Sequence, residues 1–169
     1  MRRLLLSFGG AGYVRPAPGT WGSLAALPAG YVLHLLGGPL LLAIGAAIAY
    51  FAGTAATKRE TANAEDHDPS WIVIDEVVGQ WIALLPVSLG AWHIGFSPLR
   101  LWPGIVAAFL LFRLFDIWKP WLVGRADRRG DATGVMLDDV WAGLFAAIGV
   151  VLLAALAHAG LVTEIPDQQ

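Results

Sequence analysis

The chain has 169 residues, enough for one domain, and 57% of them are hydrophobic, with a mean hydropathy of +0.63 that is far above the soluble norm. A formal net charge of -2 excludes a global attraction to nucleic acid, and the lack of cysteine excludes thiol nucleophiles, disulfides and cysteine metal sites. Eight Trp and three Tyr suit anchoring at a membrane interface, although tryptophan serves a core equally well.

Met1–Leu6 begins like a signal peptide, but the apolar stretch stops at Gly9-Gly10, too soon for the hydrophobic region of one, and is expected to stay in the mature protein. A Pro/Gly loop, Arg15-Pro16-Ala17-Pro18-Gly19-Thr20-Trp21-Gly22-Ser23, then opens onto the first apolar stretch. Backbone N–H groups at such a helix start favour anions, so Thr20 and Ser23 have two readings, phosphate contact or ordinary capping. The loop lacks the Gly-Lys-Ser/Thr ending of a Walker A sequence.

Five apolar stretches follow one another: Trp21–Leu36, Pro39–Thr57, Val77–Phe96, Leu101–Trp118 and Val140–Val162. The second, as a helix of ~28 Å, matches one hydrocarbon thickness, and the fifth is long enough to span with some tilt. Gly37-Gly38-Pro39 separates the first two, which predicts a helical hairpin returning Lys58 to the side of Arg2. Asp66-His67-Asp68 has a metal-like composition but sits in a polar linker with no surrounding pattern. His34, His93 and His158 fall on apolar or far-side stretches and read as structural or interfacial.

Asp75-Glu76 precedes the third stretch, and Asp138-Asp139 precedes the fifth. Ile74-Asp75-Glu76-Val77 and Leu137-Asp138-Asp139-Val140 echo each other, each with a glycine a turn further on, Gly79 and Gly143. Carboxylates beside hydrocarbon are costly unless paired or coordinating. One reading gives both pairs to helix capping, where the dipole contributes ~0.3–1 kcal/mol. The other gives them to a hard divalent cation such as Mg2+ or Mn2+, since adjacent helical residues point ~100° apart and reach one ion from two directions. The fourth stretch ends in Arg113-x-x-Asp116-x-x-Lys119-Pro120, whose three-residue spacing shares a helix face and allows Asp116 to pair with Arg113 and with Lys119. This segment is either an interfacial ion-pair ladder or a site in which Asp116 is ligand or base and Arg113 and Lys119 clamp phosphate. Arg125–Gly134 is a basic loop, suited to an anionic headgroup or simply marking the cytoplasmic face, with Asp127-Arg128 as a local ion pair.

In the five-span arrangement ten of the eleven cations share one side with eleven of the thirteen acids; Arg100 alone among the cations, and Glu164 and Asp167 among the acids, fall opposite. The positive-inside rule makes the rich side cytoplasmic. The competing fold is a soluble helical bundle with unusually apolar helices.

The segments APGTWGSLAALP, IVIDEVVGQWIAL, FRLFDIWKPW and DR followed by GVMLDDVWAG occur in this order, and together they resemble the phosphatidylglycerophosphatase A family of lipid phosphatases. The resemblance runs from about Gly9 to Gly149. It implies a small all-α inner-membrane enzyme, one domain over residues 1–169 with 160–169 as a loose tail, about five apolar helices and a polar active site at the cytoplasmic end. It implies Mg2+-dependent removal of the terminal phosphate of phosphatidylglycerophosphate, giving phosphatidylglycerol. The family's motif positions fall on Gly19, Thr20, Gly22 and Ser23; on Asp75 and Glu76; on Arg113, Asp116, Lys119 and Pro120; on Asp127 and Arg128; and on Asp138 and Asp139. Two departures stand out: Leu122 replaces a second proline after Lys-Pro-Trp, and Asp131-Ala132-Thr133 replaces a Gly-Gly before Gly134.

These residues give a working assignment. Asp75, Glu76, Asp138 and Asp139 hold one or two Mg2+; Arg113, Lys119, Asp116 and Asp139 act in catalysis; Gly19, Thr20, Ser23, Lys119 and Arg128 contact phosphate. Asp116 is general base or further ligand, and an attacking aspartate is the variant mechanism. The rivals are a CDP-alcohol phosphotransferase, whose long Asp-Gly…Asp spacing is missing, and a small cation transporter or an assembly protein. Transport requires polar groups near the bilayer middle, whereas this chain has them at one end, with Gln80, one turn below Glu76, as the exception.

Overall fold

The glycine pair in the middle of the first long apolar run decides the first feature of the fold. In the computed structural model, which describes residues 1–62 and 69–163 with side chains to residue 159, a single element α2 covers Pro18–Glu60. Its path turns back at Gly37-Gly38, where Gly38 takes φ 64° and ψ -156°, a combination open only to glycine. The two arms lie side by side: Leu33 reaches Gly45, and Trp81 reaches both Gly30 and Gly45. The first two apolar stretches are thus the two arms of a hairpin, and Arg2 and Arg3 meet Glu60 in ion pairs of 2.6 and 2.8 Å at its open end.

The other elements are α1 (Arg2–Leu6), α3 (Ile74–Ile94), α4 (Trp102–Trp118), α5 (Leu122–Asp127) and α6 (Ala132–Thr163), with no strand among the described residues. Among the described residues four helices, α2, α3, α4 with its leading 3-10 turn, and α6, are long and apolar enough to cross a membrane. Leu35, Leu36, Leu40, Ile48, Phe51, Trp92, Leu152 and Leu156 all lie exposed on the outside. A soluble bundle would not present such a belt, so the soluble alternative fails and the chain is a membrane protein.

α3 is the central helix, packed against both arms of α2, against α6 and against α4. Its Trp81 fills the notch of the hairpin and donates its indole N–H to the Ala26 carbonyl at 2.9 Å. α3 and α6 approach closely where Gly79 and Gly143 face each other: a Cβ on Gly143 would lie 3.0 Å from the Gly79 Cα, and one on Gly79 would lie 2.6 Å from the Asp139 carbonyl. Phe112 of α4 closes the same crossing. The amino-terminal segment is integral to this packing, with Leu6 and Ser7 fully buried and the Val73 N–H donating to the Leu6 carbonyl.

Two expected boundaries shift. The last helix starts at Ala132 rather than near Val140, so Asp138 and Asp139 lie in its second turn and do not cap it. The cap is Asp131, whose carboxylate accepts the Gly134 N–H at 2.6 Å while paired to Arg129; these contacts hold its pKa below the usual carboxylate value. Part of the basic loop is helical as α5. Asp66-His67-Asp68 lies outside the described residues, as does the expected tail apart from the α6 backbone to Thr163.

Candidate active site

The hairpin brings the start of α2 back over the start of α3, and the chain order then sends α4 towards the same end from which α6 departs. Side chains from four elements meet there around a cavity of about 290 Å3. Its described lining includes five acids, Asp75, Glu76, Asp116, Asp138 and Asp139, against two cations, Arg113 and Lys119. The remaining lining residues are Ala17, Pro18, Gly19, Ser70, Ile72 and Ile117.

The carboxylates are gathered by the crossing one turn below them. Gly79 follows Asp75 by four residues and Gly143 follows Asp139 by four, so the close approach of the two backbones sets the gap between the acids. One oxygen each from Asp75, Glu76 and Asp139 lies within 4.8 Å of the other two. Glu76 Oε2 and Asp139 Oδ1 are buried with no hydrogen-bond partner among the described residues. Unpartnered carboxylate oxygens in a common buried corner fit the hard, oxygen-only donor set that Mg2+ favours.

Asp138 is turned elsewhere. Its Oδ2 accepts from Lys119 Nζ at 2.9 Å, and the same ammonium bonds to Asp127 of α5. Lys119 caps α4 in the left-handed region at φ 50°, which takes its side chain off the helix face. For that reason the expected pairing of Asp116 with Lys119 is not the one formed, and Asp127 pairs with Lys119 rather than with its neighbour Arg128. Burial alone would lower the Lys119 pKa, but its bonds to Asp127 and Asp138 outweigh that and hold it above the ordinary lysine value. Arg113 pairs with Asp116 at 2.5 Å, as the three-residue spacing predicts.

The amino-terminal loop contributes through Gly19. A Cβ there would collide with Glu76 Oε1 and lie 3.2 Å from Arg113 Nη1, so only glycine lets the α2 backbone reach the acids. Ser23 does not face the cavity: it is fully buried, donates to the Gly19 carbonyl at 2.8 Å and accepts from Arg113 at 3.5 Å. Thr20 lies outside the lining, and Arg128 is exposed beyond it on the loop after α5. Of the eleven positions expected to serve the site, the structure therefore brings Gly19, Asp75, Glu76, Arg113, Asp116, Lys119, Asp138 and Asp139 together, and leaves Thr20, Ser23 and Arg128 out of contact with the cavity.

Gln80 sits one turn below Glu76, fully buried, with both amide atoms unpartnered among the described residues. At the far end His34 and Ser88 share a buried 2.6 Å hydrogen bond and His34 packs edge-on to Trp92, a helix-to-helix contact. Among the described residues no series of acids connects these two places, and apart from Arg100 the Lys, Arg, Asp and Glu side chains stay at the cavity end.

The family model of Phosphatidylglycerophosphatase A matches residues 4–154, most of this charged end and all four long helices. The chain belongs to the phosphatidylglycerophosphatase A family. A phosphatidylglycerophosphatase A of Haemophilus influenzae is 39% identical over 148 residues, covering 86% of this chain and 85% of the relative. The Escherichia coli phosphatidylglycerophosphatase A is 34% identical over 148 residues, covering 85% and 78%. A Bacteroides thetaiotaomicron protein named as a candidate phosphatidylinositol-3-phosphatase is 41% identical over 145 residues, covering 82% and 84%. No solved structure matches the chain. This family member is a lipid phosphatase, an enzyme working on a lipid substrate at a membrane.

Proposed function

We propose that this phosphatidylglycerophosphatase A family enzyme hydrolyses phosphatidylglycerophosphate to phosphatidylglycerol and phosphate, with Mg2+ held by Asp75, Glu76 and Asp139. The observation that carries the metal is the charge balance of the cavity, five acids against two cations. A phosphate monoester of roughly two negative charges would be repelled from such a wall unless divalent cations reversed its sign. The relatives' names supply the headgroup.

A divalent cation bound there supplies positive charge to the phosphate oxygens and activates water at neutral pH. Arg113 and Lys119 face the same space and meet the phosphoryl oxygens as their charge redistributes. Asp116, oriented by its bond to Arg113, takes the proton of the attacking water. Water adds to phosphorus, the bond from phosphorus to the glycerol oxygen breaks, and the proton taken up by Asp116 is returned, directly or through water, to that oxygen as the alcohol leaves. Asp138 and Asp127 hold Lys119 in place, so Asp138 has a positioning role rather than the metal role its sequence suggests. Arg2, Arg3, Lys58, Arg59, Arg125, Arg128 and Arg129 crowd the end that holds the cavity, and by the positive-inside rule that charge supports an active site facing the cytoplasm from the bacterial inner membrane.

The test is phosphate release by the purified protein, with and without EDTA, on phosphatidylglycerophosphate, phosphatidic acid and phosphatidylinositol 3-phosphate. Release from phosphatidylglycerophosphate alone, abolished by EDTA and restored by Mg2+, is the expected result. Preference for phosphatidylinositol 3-phosphate, the headgroup in the name of the Bacteroides relative, would refute the assigned substrate, and full activity in EDTA would refute the metal.

A further inference from the structure

A lipid phosphatase has to bring a charged headgroup into a polar cavity while two acyl chains stay in hydrocarbon. The cavity, at about 290 Å3, lies at the bottom of the range for small-molecule sites and takes a phosphoglycerol but not a diacyl lipid. Its charged walls also exclude hydrocarbon. The chains must therefore leave through a side that is apolar and continuous with the membrane.

One side has that character. α2 and α4 flank α3 and touch each other little, through Arg113 at Gly19 and Ser23, and the cavity lies between the start of the first and the end of the second. Ala17 and Pro18 border it on the α2 side, and Ile117 borders it on the α4 side. Ile117 is also 72% exposed, so this wall is one side chain thick between the acids and the outer surface. Leu110, Leu114 and Ile117 share one face of α4, with Leu110 58% and Leu114 52% exposed. This stripe runs ~10 Å down the helix from the cavity edge towards the bilayer middle. Arg113 and Asp116 occupy the neighbouring face, turned into the cavity.

We infer that the substrate lipid reaches the site laterally through the gap between Pro18 and Ile117, and that its chains lie along the Leu110–Leu114–Ile117 stripe with the phosphoglycerol turned in towards Arg113. The inference rests on the lipid phosphate reading above and adds the route and the residues that grip the apolar part. Ile117 then sets the preference for long-chain substrate without touching the reacting atoms.

The experiment compares long-chain phosphatidylglycerophosphate in vesicles with the dihexanoyl form dissolved in water. Ile117→Trp narrows the gap and should raise KM for the vesicle substrate about tenfold, the scale of one apolar mismatch, with kcat nearly unchanged. On the dissolved short-chain substrate, which needs no bilayer contact, kcat/KM should stay within about twofold of wild type. Equal losses on both substrates, or none on either, would overturn the route. Should Ile117→Trp fail to fold, Ile117→Cys gives a single thiol in an otherwise cysteine-free chain, and alkylating the folded protein with a bulky membrane-soluble maleimide must produce the same split. Wild-type enzyme inert on both forms would instead overturn the headgroup reading and this route with it.

Discussion

Gly19→Ala is the most direct probe of how the hairpin and the acids are fitted together. The added methyl would lie 3.1 Å from the Glu76 carboxyl carbon and collide with its Oε1, with Arg113 Nη1 only 3.2 Å away. Carbon atoms settle at about 3.5–4.0 Å, so the Glu76 carboxylate has to retreat by roughly 0.5–1 Å. Displacements of about 1 Å in a catalytic arrangement cost on the order of a hundredfold, so kcat/KM should fall by ~10²-fold, equivalent to ~2.7 kcal/mol of barrier. Stability should scarcely change, because alanine is the better helix former by up to about 1 kcal/mol and the methyl meets a movable side chain rather than backbone. The assay is phosphate release at saturating Mg2+ alongside thermal unfolding. Glu76→Asp added to Gly19→Ala shortens the obstructing side chain, and the double variant should exceed the activity expected from the two single losses combined. Wild-type activity in Gly19→Ala, or a loss matched by unfolding, would refute the reasoning.

Three further outcomes follow from the same geometry. Asp139→Asn should abolish Mg2+-dependent phosphate release while leaving the melting temperature near wild type, since it removes charge from a crowded acidic corner; an active variant would remove Asp139 from the metal set. Lys119→Met strips Asp138 of its cation and should lower stability by about 1–3 kcal/mol, and Lys119→Met with Asp138→Leu should regain most of that without regaining activity; recovered activity in the double variant would contradict a phosphate-facing Lys119. Ser23→Ala should cost about 1 kcal/mol or less of transition-state stabilisation, because Ser23 only braces Arg113 at 3.5 Å; a hundredfold loss would mean that Ser23 contacts phosphate directly.

Much of the site was legible in the residues. Asp75, Glu76 and Arg113 with Asp116 were recognisable because two periodicities coincide, acids ahead of apolar runs and charges three apart at the end of one. Thr20, Ser23 and Arg128 do not line the cavity, because a motif gives proximity along the chain but not the direction of a side chain: Ser23 faces back into α2, and Arg128 faces solvent. Asp138 and Asp139 looked alike as adjacent acids, yet a helix turns ~100° per residue, so one reaches Lys119 and the other reaches Asp75 and Glu76. Asp131 performs the capping that was one of two readings of that pair, because α6 begins a full two turns earlier than its apolar run. Ile117 had a weak signal, four residues after Arg113 and so beside it on the helix, but nothing in the chain distinguishes it from any other lipid-facing isoleucine.

By itself the sequence determined that this chain lives in a membrane, that it is helical, that its charges gather at one end and that it belongs with lipid phosphatases, because hydropathy, periodicity and motif order are local properties. Tertiary structure decided which carboxylates share a corner, which one is spent on Lys119, and which residues line the cavity. Those distances depend on the turn at Gly38 and the glycine contact between α3 and α6, where backbones far apart in the chain approach within reach of each other's side chains.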